Sequence, residues 1–178
     1  MAINSPRYVS ARGKRTVVKT LGADVVVNDG GKANVVLQRI EDLRSRAEDM
    51  EPVLDMFGRY LVQQHIPAQF RARGKPKRWA ALSPKYAAWK AKHYPGKPIL
   101  QRSGAMMSGF DWETHKQSVR VVNRVRSGQK AGSKPRWAYH QDGTIKMPAR
   151  PMLQLTDKDY KQFRAFAHQH LFVEGGME

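Results

Sequence analysis

Six histidines stand in the chain: His65, His93, His115, His140, His168 and His170. They are the first place to look for chemistry. His140 lies beside two aromatics in the stretch WAYHQDGTIKMPARPMLQL, residues 137–155, with Asp142 two positions on. Next-but-one neighbours on an extended chain share a face without forming an acid–base site. His168 and His170 are two apart on a helical pattern and do not face one another. No HExxH occurs, and no histidine–carboxylate spacing suits a metal. The segment RSGAMMSG has no nucleophile elbow. NDGGKANVV lacks both the phosphate-loop and the dinucleotide pattern, so it reads as a turn. Outside the first helix, close carboxylate pairs include Asp24 with Asp29 and Asp157 with Asp159. The second pair suits a helix N-terminus, where negative charge meets free N–H groups. With no cysteine at all, disulfides, thiolate metal sites and a cysteine nucleophile are excluded. The residues therefore point to no catalytic group, no cofactor, no metal ligand and no enzyme.

Charge is the stronger signal. Lys and Arg number 32 against 15 Asp and Glu, a net charge of +17 over 178 residues. Such a balance attracts nucleic acid, acidic protein surfaces or anionic lipid. Between His65 and Phe110 there are ten basic residues and no acid. Candidate DNA- or partner-facing residues are Arg71, Arg73, Lys75, Lys77 and Arg78 in one loop, and Arg126, Lys130, Lys134 and Arg136 in another. Trp79, Tyr86, Trp89 and Tyr94 near the first loop can stack on bases. Their spacing suits a core or a subunit interface better. No zinc-finger spacing or helix-turn-helix is present. The N-terminal MAINSPRYVSARGKR never enters an apolar region, so no signal peptide is expected. No run of eighteen apolar residues exists to span a membrane.

The elements that must position these residues read as α+β. Residues 1–20 are expected to be a flexible basic arm, 21–172 a single domain and 173–178 a frayed tail. TVVKTLGADVVVNDGG holds one or two strands before a strong turn signal. Leu43, Ala47, Met50, Leu54, Phe57 and Leu61 form one helical stripe, which Pro52 kinks or splits near Met50. Gly58 suggests the close approach of another backbone. PAQFRARGKPKRWAAL reads as a basic loop. Ser83 and Pro84 open a short helix carrying Tyr86, Trp89 and His93 on one face. A short turn near Ser103–Met107 precedes two strands, about 108–114 and 118–126. WAYHQ reads as a short strand or a helical turn. Thr156, with Asp159 three residues later, makes a capping box for the last helix. The whole is a long kinked N-terminal helix and a C-terminal helix packed on a small antiparallel sheet, with extended basic loops.

Four blocks in order resemble the phage virion morphogenesis family, the tail completion proteins of Mu-like and P2-like tailed phages. The first is Trp79, Leu82, Tyr86 and Lys90. The second is Leu100, Arg102, Ser103, Gly104 and Met106. The third is Ala138, Tyr139, His140, Gln141 and Gly143. The fourth is Pro148, Ala149, Arg150, Pro151 and Leu153. The resemblance covers about residues 35–170. Met152 stands where the family usually has Phe. The resemblance implies a non-enzymatic subunit of the head–tail connection, forming a ring, often a hexamer, around the DNA channel. Implied partners are further copies of itself, the portal, neck or head-completion protein, the tail terminator or tail tube protein, and the backbone of genomic DNA. Membrane is not among them. The implied location is the virion neck, after assembly in the host cytoplasm. Other readings are a tail terminator, a head-completion adaptor, or a stand-alone non-specific nucleic-acid-binding protein. The structural or interface motif is then Trp79, Tyr86, Arg102, Gly104, Tyr139, His140, Pro148, Arg150 and Pro151. In it Arg150 would hold a carboxylate on a neighbouring element or subunit through its guanidinium fork. His140 and Gln141 would be strand-end or interface groups.

Overall fold

A computed structural model describes residues 9–10, 16–20, 23–27, 32–125 and 135–173. The architecture is α+β. Strands β1 (Val9–Ser10), β2 (Thr16–Thr20) and β3 (Ala23–Val27) make an antiparallel meander with Val17 opposite Val26. Both β1 and β2 lie within residues 1–20, the stretch set aside above as an arm.

Helix α1 (Lys32–Glu48) ends before Asp49 and Met50, and α2 (Glu51–Tyr60) starts with Pro52 in its first turn. There the missing N–H has no intrahelical partner to lose. The helical path does not stop at Tyr60. It widens into one π-helical turn, Leu61–His65, and continues as α3 (Ile66–Ala72). Residues 67–72 were expected to be loop and are helical instead. Pro67 sits in the first turn of α3 directly after the widened turn, where the ladder can do without its N–H.

The central sheet is a hairpin of β4 (Phe110–His115) and β5 (Ser118–Asn123), with Trp112 opposite Val121 and Thr114 opposite Val119. That face packs on α2. Trp112 Nε1 donates to Asp55 Oδ1 at 2.8 Å. A Cβ on Gly58 would lie 2.5 Å from Trp112 Cδ1 and 2.8 Å from Val119 Cγ2. The close approach at Gly58 is thus made by side chains of the hairpin, not by another backbone. The outer face carries Asp111 and Glu113, both paired with Arg124 at 2.7 and 3.3 Å.

The last helix, α7 (Asp157–His168), lies on α2, where Phe163 meets Phe57 edge-on at 5.1 Å. One carboxylate locks that packing. Asp159 is 2% exposed. Its Oδ1 accepts from Tyr60 Oη at 2.8 Å and lies 2.9 Å from His65 Nδ1. Its Oδ2 accepts from the Thr156 N–H at 2.7 Å and the Thr156 hydroxyl at 2.6 Å. The expected capping box is present, and it also reaches a second helix. Burial alone would raise the Asp159 carboxyl, but Thr156, Tyr60 and His65 outweigh it and hold it below the usual carboxylate range. Burial, then Asp159, pushes the Tyr60 hydroxyl up to about 12. His65 and Asp159 are a histidine–carboxylate pair, but both are sealed in the core. Together they join the π-helical turn to α7.

A carboxylate with a lowered folded pKa contributes stability that is complete above its ordinary value, about 3.9, and is lost as pH falls through the folded value. Asp159→Asn should therefore lower the unfolding free energy by roughly 3 kcal/mol near neutral pH. In urea titrations the gap from the parent protein should narrow as pH drops below about 4. A gap that stays constant down to about pH 2 would contradict this role for the carboxylate.

Candidate functional site

The residues of the four sequence blocks meet at one place, held by hydrogen bonds between side chains and backbone. Helix α6 (Arg136–Asp142) carries WAYHQ, the helical one of the two readings above, so His140 and Gln141 are helical residues and not strand-end groups. Gln141 clamps the returning chain: its Oε1 accepts from the Met152 and Leu153 N–H groups at 2.9 and 3.1 Å, and its Nε2 donates to the Leu153 carbonyl at 2.8 Å. The Arg150 N–H donates to the His140 carbonyl at 2.6 Å. Trp79 Nε1 donates to the Pro151 carbonyl at 2.7 Å, while its ring meets Phe70 edge-on. Met152 is fully buried beside Ile66, Phe70, Trp79 and Phe110, a position where Met fills much the same space as Phe.

Within the chain Arg150 departs from the expected carboxylate on a neighbouring element. Among the described residues its guanidinium is held by carbonyls instead. Nε donates to the Ala80 carbonyl at 2.9 Å and Nη2 to the Ala81 carbonyl at 2.8 Å, with the residue 3% exposed. The fork therefore fastens the block after α6 to the strap before α4 (Pro84–His93).

The first basic loop is pinned at its base and free at its side chains. The Lys75 N–H donates to Gln69 Oε1 at 2.7 Å, Gln69 Nε2 donates back to the Lys75 carbonyl at 3.0 Å, and the Trp79 N–H reaches the Arg73 carbonyl at 2.7 Å. Gly74, at φ 100°, turns the chain where a Cβ would meet the Lys77 carbonyl at 2.7 Å. Arg71, Arg73, Lys75, Lys77 and Arg78 are all exposed around it. Of the second basic loop, Arg126, Lys130 and Lys134 lie outside the described residues. Arg136 opens α6.

Between α4, α5 (Ala105–Ser108), the end of β5, α6 and the segment 146–150 lies a cavity of about 850 Å³. Apolar walls come from Leu82, Leu100, Met106, Trp137 and Met147. Lys90, Arg102, Arg136, Lys146 and Arg150 supply cations, and no Asp or Glu among the described residues lines it. Tyr86, Gly104, His140 and Pro148 of the expected motif also border it. Tyr139 stands on the same helix, 39% exposed. Lys90 is 5% exposed and donates from Nζ to the Pro98 carbonyl. Burial, then Arg102, lowers its pKa. His140 is lowered by burial first, then by Arg150 and Arg136, and its Nδ1 is buried without a hydrogen-bond partner among the described residues. At the mouth, Tyr86, Trp89 and His93 stack in sequence at 5.5 and 4.6 Å. The Arg102 guanidinium lies 4.9 Å from the Tyr94 ring centre and donates to the Tyr94 hydroxyl at 3.1 Å. Of the four aromatics singled out for stacking, Trp79 is core and the other three gather here.

Lys90 and Lys146 are missing from the site residues read from the sequence. Lys90 had a signal in its spacing, since it follows Tyr86 by four positions and so shares its helix face. Lys146 had none. Among the described residues no group of three or more His, Asp or Glu is placed to hold a metal ion. No helix there is long and apolar enough to cross a membrane.

The profile of the phage virion morphogenesis family matches residues 32–172. No curated protein and no solved structure matches the chain. Every element of the clasp and the cavity lies inside the matched span. Arg150→Ala should lower the unfolding free energy by about 3 kcal/mol, since two carbonyls and a packed stem lose their partner. Arg150→Lys should recover less than half, because one ammonium cannot copy the planar fork. Arg102→Ala, at the exposed mouth, should stay within about 0.5 kcal/mol of the parent. Chemical denaturation of the three variants checks the order. An Arg150→Ala variant as stable as the parent would refute the clasp.

Proposed function

The chain belongs to the phage virion morphogenesis family, and from that premise we propose that it is a structural subunit of the head–tail connection, a tail completion or neck protein that closes into a ring around the DNA channel. A structural role in virion morphogenesis follows from the family itself. The narrower reading is carried by one observation: the sequence blocks that mark the chain build a rigid clasp around an open surface cavity in which no Asp or Glu among the described residues takes part. A stiff body with a socket of that kind suits a protein that works by joining others. The buried His65–Asp159 pair offers no reactive group to solvent, in keeping with a structural role.

In this reading the exposed cluster Arg71–Arg78 faces DNA or an acidic neighbour. A ring of subunits with +17 each repels itself unless a polyanion or acidic partners sit against it. Six copies around a channel, with portal or head-completion protein above and tail terminator or tube below, meet that need. Virion neck is the corresponding location. One observation favours a second reading, a nucleic-acid-binding protein acting alone: the exposed stack of Tyr86, Trp89 and His93 beside Arg102 offers rings on which bases could lie.

Light scattering at moderate and high salt separates the two. The expected result is a closed species near six times the 20.3 kDa chain, retained on tails purified without this protein. A 20.3 kDa species that ignores tails and portal yet binds single-stranded DNA in a salt-dependent way would overturn the connector reading.

A further inference from the structure

We propose that the cavity between α4, α6 and residues 146–150 is a socket for an extended acidic–apolar segment of a partner protein, whose carboxylates supply the counter-charge that Lys90 and Arg150 lack. That the occupant is a protein segment rests on the head–tail reading. That the cavity takes an anion rests on its own chemistry.

Charged side chains are seldom buried without an opposite charge. Here two cations are, at 5% and 3% exposure, and both line the same cavity. No Asp or Glu among the described residues pairs with either. Among the described residues their polar partners are neutral carbonyls, of Pro98 for Lys90 and of Ala80 and Ala81 for Arg150. Carbonyl dipoles satisfy some N–H groups but leave the net charge uncompensated. An ammonium has three donors and a guanidinium five, so N–H capacity remains on both. His140 Nδ1, buried and unpartnered, adds a further polar atom at the wall.

The occupant's shape follows from the walls. The walls carry both these cations and the apolar side chains of Leu82, Leu100, Met106 and Met147, so a ligand needs carboxylates beside apolar groups. A peptide in extended conformation supplies that, with alternate side chains entering and leaving. A DNA duplex does not. It is a stiff rod whose outward phosphates have no apolar groups between them to meet the apolar walls. Arg102 and Lys146, exposed at the mouth, would steer the acidic segment inward.

The test measures fluorescence anisotropy of a labelled decapeptide alternating glutamate and leucine. The controls are its glutamine–leucine counterpart and a ten-base single-stranded oligonucleotide. The acidic peptide should bind at least about tenfold more tightly than the neutral one. The double variant Arg102→Gln, Lys146→Gln should fold as the parent does and slow association several-fold. Lys90→Met should weaken binding by about tenfold or more while the circular dichroism spectrum stays unchanged. If Lys90→Met fails to fold, the double variant alone decides. Equal binding of both peptides, acidic-peptide binding unchanged by the double variant, or tighter binding of the oligonucleotide with the peptide indifferent would each overturn the socket. Light scattering on the same samples keeps the two readings apart. A ring that binds no acidic peptide sinks the socket alone, and peptide binding without a ring upholds the socket while the ring falls.

Discussion

The Arg150 guanidinium, buried and fastened to two backbone carbonyls, is the contact on which the rest of this surface depends. It fixes the strap at Ala80 and Ala81 against the chain returning from α6. Proline on its C-terminal side and Pro148 two positions before it restrict that chain, so the fork arrives preformed. Gln141 and Trp79 secure the neighbouring carbonyls and N–H groups of Pro151, Met152 and Leu153. Remove the guanidinium and the wall between α4 and α6 loses its two bonds to the strap, leaving Gln141 and Trp79 to hold the segment.

Asp159 offers a useful contrast. It too is a buried charge that joins distant parts of the chain, here α7 to α2 and the π-helical turn. Its two oxygens meet Tyr60, His65 and two groups of Thr156, so its charge is fully answered from within the chain. Among the described residues Lys90 and Arg150 are answered by neutral carbonyls. The charge at Asp159 is thus closed from within, whereas the two cations line a cavity without a carboxylate among the described residues. On the socket proposal, a partner completes that chemistry. The acid-free run from His65 to Phe110 reaches this cavity through α4 and the Arg102 loop.

Much of the fold was legible because local rules set it. Ser83 and Pro84 announced α4, the alternation around Val119 and Val121 announced β5, and Thr156 with Asp159 announced α7. The π-helical turn and α3 were not legible, because Pro67 looks like a loop residue until the widened turn before it is known. WAYHQ was ambiguous at five residues, and its helix is fixed by what Gln141 reaches across space. Gly58 signalled close approach, but not that Trp112 and Val119 would make it. Arg150 shows the limit most clearly. A sequence displays charges, so a guanidinium invites a carboxylate. Every residue has a carbonyl, so nothing in the sequence marks Ala80 and Ala81 as partners. Lys90 carried the right spacing to share the face of Tyr86, yet its burial depends on Pro98 and Arg102 folding over it.

The most direct measurement is the titration of the Lys90 ammonium by nitrogen-detected NMR, first on the protein alone and then with a saturating acidic–apolar peptide. Alone, burial and the neighbouring Arg102 should hold its pKa below the usual lysine value. With a carboxylate seated beside it, the pKa should climb back toward or above that value. A Lys90 that titrates identically with and without the peptide would mean that no carboxylate reaches the buried cations, and the cavity would be no socket.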